Sequence, residues 1–83
     1  MKVTVKYFAS IREAIGVASE SIDTSALSLA ALRDELIAQG GERAESLARG
    51  RAVRLALNQV MCDESVALVD GAEVAFFPPV TGG

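Results

Sequence analysis

Residues 2–9, KVTVKYFA, alternate along their length: Val3, Val5 and Tyr7 point one way, and Lys2, Thr4, Lys6 and Phe8 the other. A period of two is the mark of a strand with one buried face. Near the other end, EVAFF at 73–77 is apolar on both faces, with Val74 and Phe76 on one and Ala75 and Phe77 on the other. Two strands this apolar fit side by side at the centre of a sheet, in parallel. Phe8 is the oddity, a large aromatic on the face that carries the lysines.

The segments between must complete that sheet and cover one side of it. SIREAIG reads as a single helical turn that Gly16 ends. ASESIDT reads as a short second strand with the polar mix of a sheet edge, so the first two strands suggest a β-hairpin with a long, partly helical connection. SLAALRDELIAQGG is the clearest helix. Ser28 is a fit N-cap, because its hydroxyl can accept from the free amides of the first turn. Leu29, Leu32, Leu36 and Ile37 fall on one stripe, and Gly40 and Gly41 supply the stop. ERAESLAR adds a short second helix closed by Gly50. AVRLALN alternates again, with Val53, Leu55 and Leu57 on one face. Asn58-Gln59 makes a tight turn into VMC, and Val69-Asp70-Gly71 is a further turn signal. The order β-β-α-(α)-β-(β)-β predicts an α+β roll: a mixed sheet of about four to five strands with one main helix packed across one face.

At 83 residues the chain fits one domain, and 51% hydrophobic residues suffice for a core. Cys62 is the single cysteine and there is no histidine. An intrachain disulfide, a Cys/His metal site and a four-cysteine iron–sulfur cluster are therefore excluded, and the commonest general base is missing. A net charge of −3 without a basic stripe argues against nucleic acid. Arg49, Arg51 and Arg54 read as a solvated rim, or else as part of a contact with an acidic partner. Asp34-Glu35 and Asp63-Glu64 read as a solvated helix face and a turn. Cys62 reads as a small, partly buried hydrophobe rather than a nucleophile. No apolar run approaches membrane-spanning length, and the first residues alternate too strictly for a signal peptide, so a cytoplasmic location is expected. Little here suits an enzyme acting alone.

The last eight residues, FFPPVTGG, are more informative. Pro78 and Pro79 cannot donate to a ladder, so they stop the sheet after Phe77 and aim the remaining residues away from the body. This divides the chain into a folded body, residues 1–79, and a flexible Gly-Gly tail, residues 80–83. Extended, Val80 to Gly83 reach about 13 Å at ~3.3 Å per residue. Gly82 and Gly83 carry no side chain, so the tip can enter a channel too narrow for any Cβ. The α-carboxylate of Gly83 is a poor electrophile until another enzyme converts it to an acyl-adenylate with ATP. A sulfide equivalent can then displace AMP to leave a thiocarboxylate, a sulfur nucleophile carried on a protein arm. A frayed terminus is the plainer alternative. Phe8 and Phe77 face outward on the first and last strands, and if those strands are neighbours the rings form one apolar patch that Met61 extends. Such patches mark protein contacts.

VKYFASIREAIG near the start, LALNQ in the middle and DGAEVAFFPPVTGG at the end together resemble the small, sulfur-carrier subunit family of molybdopterin synthase. The resemblance spans almost the whole chain and implies a ubiquitin-like β-grasp fold. One departure is Ala72, where members often carry an acidic residue after Asp-Gly. The resemblance implies that Gly83 is adenylated by a ubiquitin-activating-like adenylyltransferase and then thiocarboxylated. The tail would enter the active site of the large synthase subunit, with Phe8, Met61, Phe77, Pro78, Pro79, Val80 and Thr81 meeting the partner and Gly82 keeping the tip slim. Sulfur would pass to cyclic pyranopterin monophosphate, and two transfers would build the dithiolene of molybdopterin. Two small and two large subunits would form a heterotetramer. No cofactor or metal would be held permanently, and ATP would be consumed by the activating enzyme. Three other readings stay open: a carrier for thiamine synthesis or tRNA thiolation, a ubiquitin-like modifier, and an inert β-grasp interaction module.

Overall fold

The computed structural model describes residues 1–79, so the proposed tail, Val80 to Gly83, lies outside the described residues. Eight elements succeed one another: β1 (Lys2–Tyr7), α1 (Ala9–Ile15), β2 (Ser19–Asp23), α2 (Leu29–Ala38), α3 (Gly41–Ser46), β3 (Arg54–Leu57), β4 (Val60–Cys62) and β5 (Glu73–Phe77). The strands form one five-stranded sheet in the order β2-β1-β5-β3-β4. β1 and β5 run parallel, with Val5 opposite Val74 and Tyr7 opposite Phe76. The other pairs are antiparallel. This is the mixed-sheet α+β roll expected from the element order, with the helices on one face, the β-grasp arrangement.

Alternation decides which face is covered. Val3, Val5 and Tyr7 of β1, Leu55 of β3, and Val74 and Phe76 of β5 are all buried on the helical side. Leu29, Leu32 and Leu36 of α2 complete that core, joined by Ile11 and Leu47. The Ser28 hydroxyl accepts from the Ala31 amide at 3.1 Å, the N-cap read from the sequence. Gly71 takes a φ of +82°, which a β-carbon would disfavour, and its amide bonds Lys2 O at 2.8 Å. That bond fastens the loop before β5 to the start of β1. Ala72, beside it, is buried in the core, and its carbonyl accepts from the Thr4 amide. Asn58 and Gln59 both have positive φ, 49° and 71°, the backbone of a two-residue hairpin turn.

Several boundaries differ from the sequence reading. β1 ends at Tyr7, not residue 9, because Phe8 is the N-cap of α1, and α1 runs seven residues instead of one turn. Ile37 is half-buried at the margin of the α2 stripe. Gly40 does not simply stop α2: it is the N-cap of α3, whose first residue is Gly41. α3 ends at Ser46, short of Gly50. Val53 precedes β3 rather than belonging to it. The polar β2 is an edge strand, as expected.

Candidate functional site

The face of the sheet away from α2 carries the candidate site. β5 is the middle strand, and its last residue, Phe77, lies opposite Arg54 of β3. Phe8, one residue past β1, donates its amide to Phe76 O at 3.2 Å, which extends the parallel ladder by one bond. That bond sets Phe8 beside Phe77, and the rings stack with centroids 4.5 Å apart and planes 9° from parallel. Both rings are half-buried. Next to them runs a cross-strand row of Lys6, Ala75, Ala56 and Met61. The two alanines leave a shallow floor, and Met61, 51% exposed, stands at its far side. Lys6 pairs with Glu73 at 3.4 Å on the opposite rim.

Pro78 and Pro79 leave the sheet between two grooves. The outer one, about 550 Å³, is lined by Ala9, Arg54, Met61, Phe77 and both prolines. The other, about 580 Å³, lies between α1 and α3 and takes Glu42, Glu45 and Arg51 into its wall. Ala9 borders both and holds a φ of +51°, an unusual conformation for alanine. The structure thus brings Phe8, Phe77, Met61, Pro78 and Pro79 to one place. Val80, Thr81, Gly82 and Gly83 lie outside the described residues.

Beneath this root, a polar knot holds the helical layer to the sheet. Tyr7 stacks on Phe76 with centroids 6.2 Å apart. Its hydroxyl donates to Glu20 Oε2 at 2.5 Å, and Arg43 of α3 donates to both oxygens of the same carboxylate. Burial, reinforced by the bond to Glu20, pushes the Tyr7 hydroxyl well above its ordinary value. The bond to Glu20 likewise raises the Arg43 guanidinium. A second knot is built on Arg33, only 3% exposed. Its guanidinium donates to Glu64 at 2.8 Å and to the carbonyls of Leu47, Ala48 and Arg51. Sequence reasoning misses both knots; Arg33 in a helix otherwise rich in charge gives no sequence signal of burial.

Two sequence readings are corrected here. Glu35 and Glu64 are not simply solvated: Glu35 accepts from the buried Thr24 hydroxyl, and Glu64 takes Arg33 and Arg49. Arg49 is not a free rim cation either, since it bridges Asp34 and Glu64. Cys62 is half-buried and packs against the core, as read. Among the described residues no cluster of His, Cys, Asp or Glu is arranged to hold a metal ion, and no helix is long and apolar enough to cross a membrane. The arrangement is suited to presenting a chain end beside an apolar face.

Comparison with known proteins agrees with this architecture. The molybdopterin synthase sulfur carrier subunit of Escherichia coli is 38% identical over 98% of this chain and 99% of its own length. A molybdopterin-converting factor subunit 1 from Pyrococcus furiosus superposes with a TM-score of 0.75 at 30% identity, covering 96% of this chain and 99% of that one. A chain from the complex of subunits 1 and 2 of molybdopterin-converting factor from Helicobacter pylori gives a TM-score of 0.70 at 31% identity, with both chains fully covered. The model of the ThiS family matches residues 5–83. That match takes in nearly the whole chain, Phe8, Phe77, Pro78 and Pro79 included, and the chain belongs to the ThiS family.

Proposed function

We propose that this chain is the sulfur carrier subunit of a molybdopterin synthase. The observation that carries the reading is the Phe8–Phe77 face and the Pro78–Pro79 root, in a chain that matches a named carrier subunit along nearly its whole length. An activating enzyme consumes ATP to join AMP to the Gly83 carboxylate. A sulfide equivalent displaces AMP and leaves a thiocarboxylate. The carrier then seats its apolar face on the large subunit, and the slim tip reaches the bound cyclic pyranopterin monophosphate. The sulfur bonds to a side-chain carbon of the pterin precursor as an oxygen substituent leaves that carbon, and hydrolysis of the resulting thioester leaves the sulfur on the pterin and frees the Gly83 carboxylate for another round. Two rounds supply both dithiolene sulfurs, and the assembly proposed with this reading is two small and two large subunits. The carrier contributes the nucleophilic sulfur and its delivery; proton transfers fall to the large subunit. A cytoplasmic location goes with this chemistry.

The test is reconstitution with the large subunit of the same organism and cyclic pyranopterin monophosphate. Thiocarboxylated chain should yield the dithiolene product, and a Gly83-deleted chain should not. A thiocarboxylated chain that fails here, yet supplies sulfur to a thiazole-forming or tRNA-thiolating system, would replace this reading with the other carrier role.

A further inference from the structure

Four of the eight lysine and arginine side chains are tied into ion pairs among the described residues: Lys6, Arg33, Arg43 and Arg49. Of the remaining four, Lys2, Arg12, Arg51 and Arg54, only Arg54 lines the apolar outer groove. It is exposed, and it stands directly across the β3–β5 pair from Phe77. Opposed residues on one face of an antiparallel pair hold their Cβ atoms about 5 Å apart. The guanidinium therefore has its stem along the patch and its charge at the root of the tail. Among the described residues it has no hydrogen-bonded or ionic partner. Arg54 stands where the apolar groove meets a second one lined by Met61, Cys62, Asp63 and Glu64; its side chain forms no ion pair among the described residues, and a free guanidinium at the border of a docking face suits an anionic group, a carboxylate where the partner is a protein.

We infer that Arg54 sets the specificity of the docking face by pairing with a carboxylate side chain of the large subunit, brought over the Phe77–Met61 groove when the complex forms. The inference rests on the sulfur-carrier reading for the identity of the partner. Arginine suits the role because its planar fork meets a carboxylate with two parallel bonds while its stem stays on apolar surface. Closing the groove desolvates the pair, so removing one partner costs more than it would at an exposed rim. A partner that presents a lysine, or a neutral surface, at that position would leave the guanidinium buried and unpaired and would be rejected.

The test is the dissociation constant of the full chain with the large subunit of the same organism, measured at low and high salt. The variants are Arg54→Gln, Arg54→Glu and, as a charge control at the far end of β1, Lys2→Glu. We expect Arg54→Gln to bind about tenfold more weakly and Arg54→Glu at least about a hundredfold more weakly, with Lys2→Glu within about twofold of wild type. The salt dependence of binding should flatten in Arg54→Gln. Thermal melts of the free variants should match wild type, since the Arg54 side chain has no hydrogen-bonded or ionic partner among the described residues. Arg54→Glu binding as tightly as wild type would overturn the inference and leave the carrier reading standing. A wild-type chain that does not bind the large subunit at all would overturn both.

Discussion

Phe77→Asp separates the docking face from the core. Phe77 is half-buried and stacked on Phe8. Full burial of a phenylalanine is worth about 1.5–3 kcal/mol, so half of it is about 1 kcal/mol. The stack adds about 0.5–1.5 kcal/mol, and an aspartate in a strand costs up to about 1 kcal/mol more. The expected loss of stability is thus roughly 2–3 kcal/mol. A domain of this size has a stability of about 4–12 kcal/mol, so the variant should stay folded with a lower melting temperature. Binding should suffer far more. An aromatic anchor at the centre of an interface is worth at least about 2 kcal/mol, roughly a thirtyfold rise in the dissociation constant, and a desolvated carboxylate makes it worse. Urea titration of the free chain and calorimetry with the large subunit measure the two effects separately. Phe77→Ala, run beside it, isolates the loss of the ring. An unfolded Phe77→Asp would show that the ring is core; a folded variant that binds normally would show that the partner sits elsewhere. Either result refutes the reasoning.

Arg33→Ala should cost about 1–3 kcal/mol, because it removes four donated bonds, takes the side-chain donor from the carbonyl of the buried Leu47 and leaves Glu64 with Arg49 alone; a loss under about 0.5 kcal/mol by urea titration would contradict that. The raised Tyr7 hydroxyl makes stability sensitive to alkali. The unfolded tyrosine ionises near pH 10 while the folded one stays neutral, so its contribution is whole below about pH 10 and falls as pH rises above it, by up to about 1.4 kcal/mol per pH unit. Tyr7→Phe should be less stable at neutral pH but should lose stability less steeply above about pH 10, and parallel pH profiles would show the assignment to be wrong. Gln59→Gly should stabilise by about 0.5–1 kcal/mol, since Gln59 holds a φ of 71° in the β3–β4 turn and Asn-Gly is the preferred pair there; a lower melting temperature would count against that turn geometry.

Much of the fold was legible because it rests on patterns that repeat. Val3, Val5 and Tyr7 alternate on the buried face, and the apolar β5 could only be central. The Ser28 cap and the leucine stripe of α2 are local signals with local causes. The pairing of Phe8 with Phe77 came from placing the two end strands together, and β1 and β5 do pair in parallel. The hidden part was long-range and polar. Arg33 reaches Glu64, 31 residues away, and Glu20 gathers Tyr7 and Arg43 across three elements. Such knots have no periodicity to read. The same limit explains why Arg49, Arg51 and Arg54 read as one cluster. Only the fold shows that Arg49 is committed to Asp34 and Glu64, that Arg51 lines the groove between α1 and α3, and that Arg54 lies on the open face. Boundaries such as Phe8 shifted because one residue can end a strand and cap a helix at once.

The central claim is that Gly83 carries sulfur. It is tested most directly by the intact mass of the chain after incubation with its activating enzyme, ATP and a sulfur donor, beside a Gly83-deleted chain. The account predicts the mass gain of one oxygen replaced by one sulfur, confined to the chain that ends in Gly83. An unchanged mass, with an activating enzyme shown to be competent on another carrier, would contradict it.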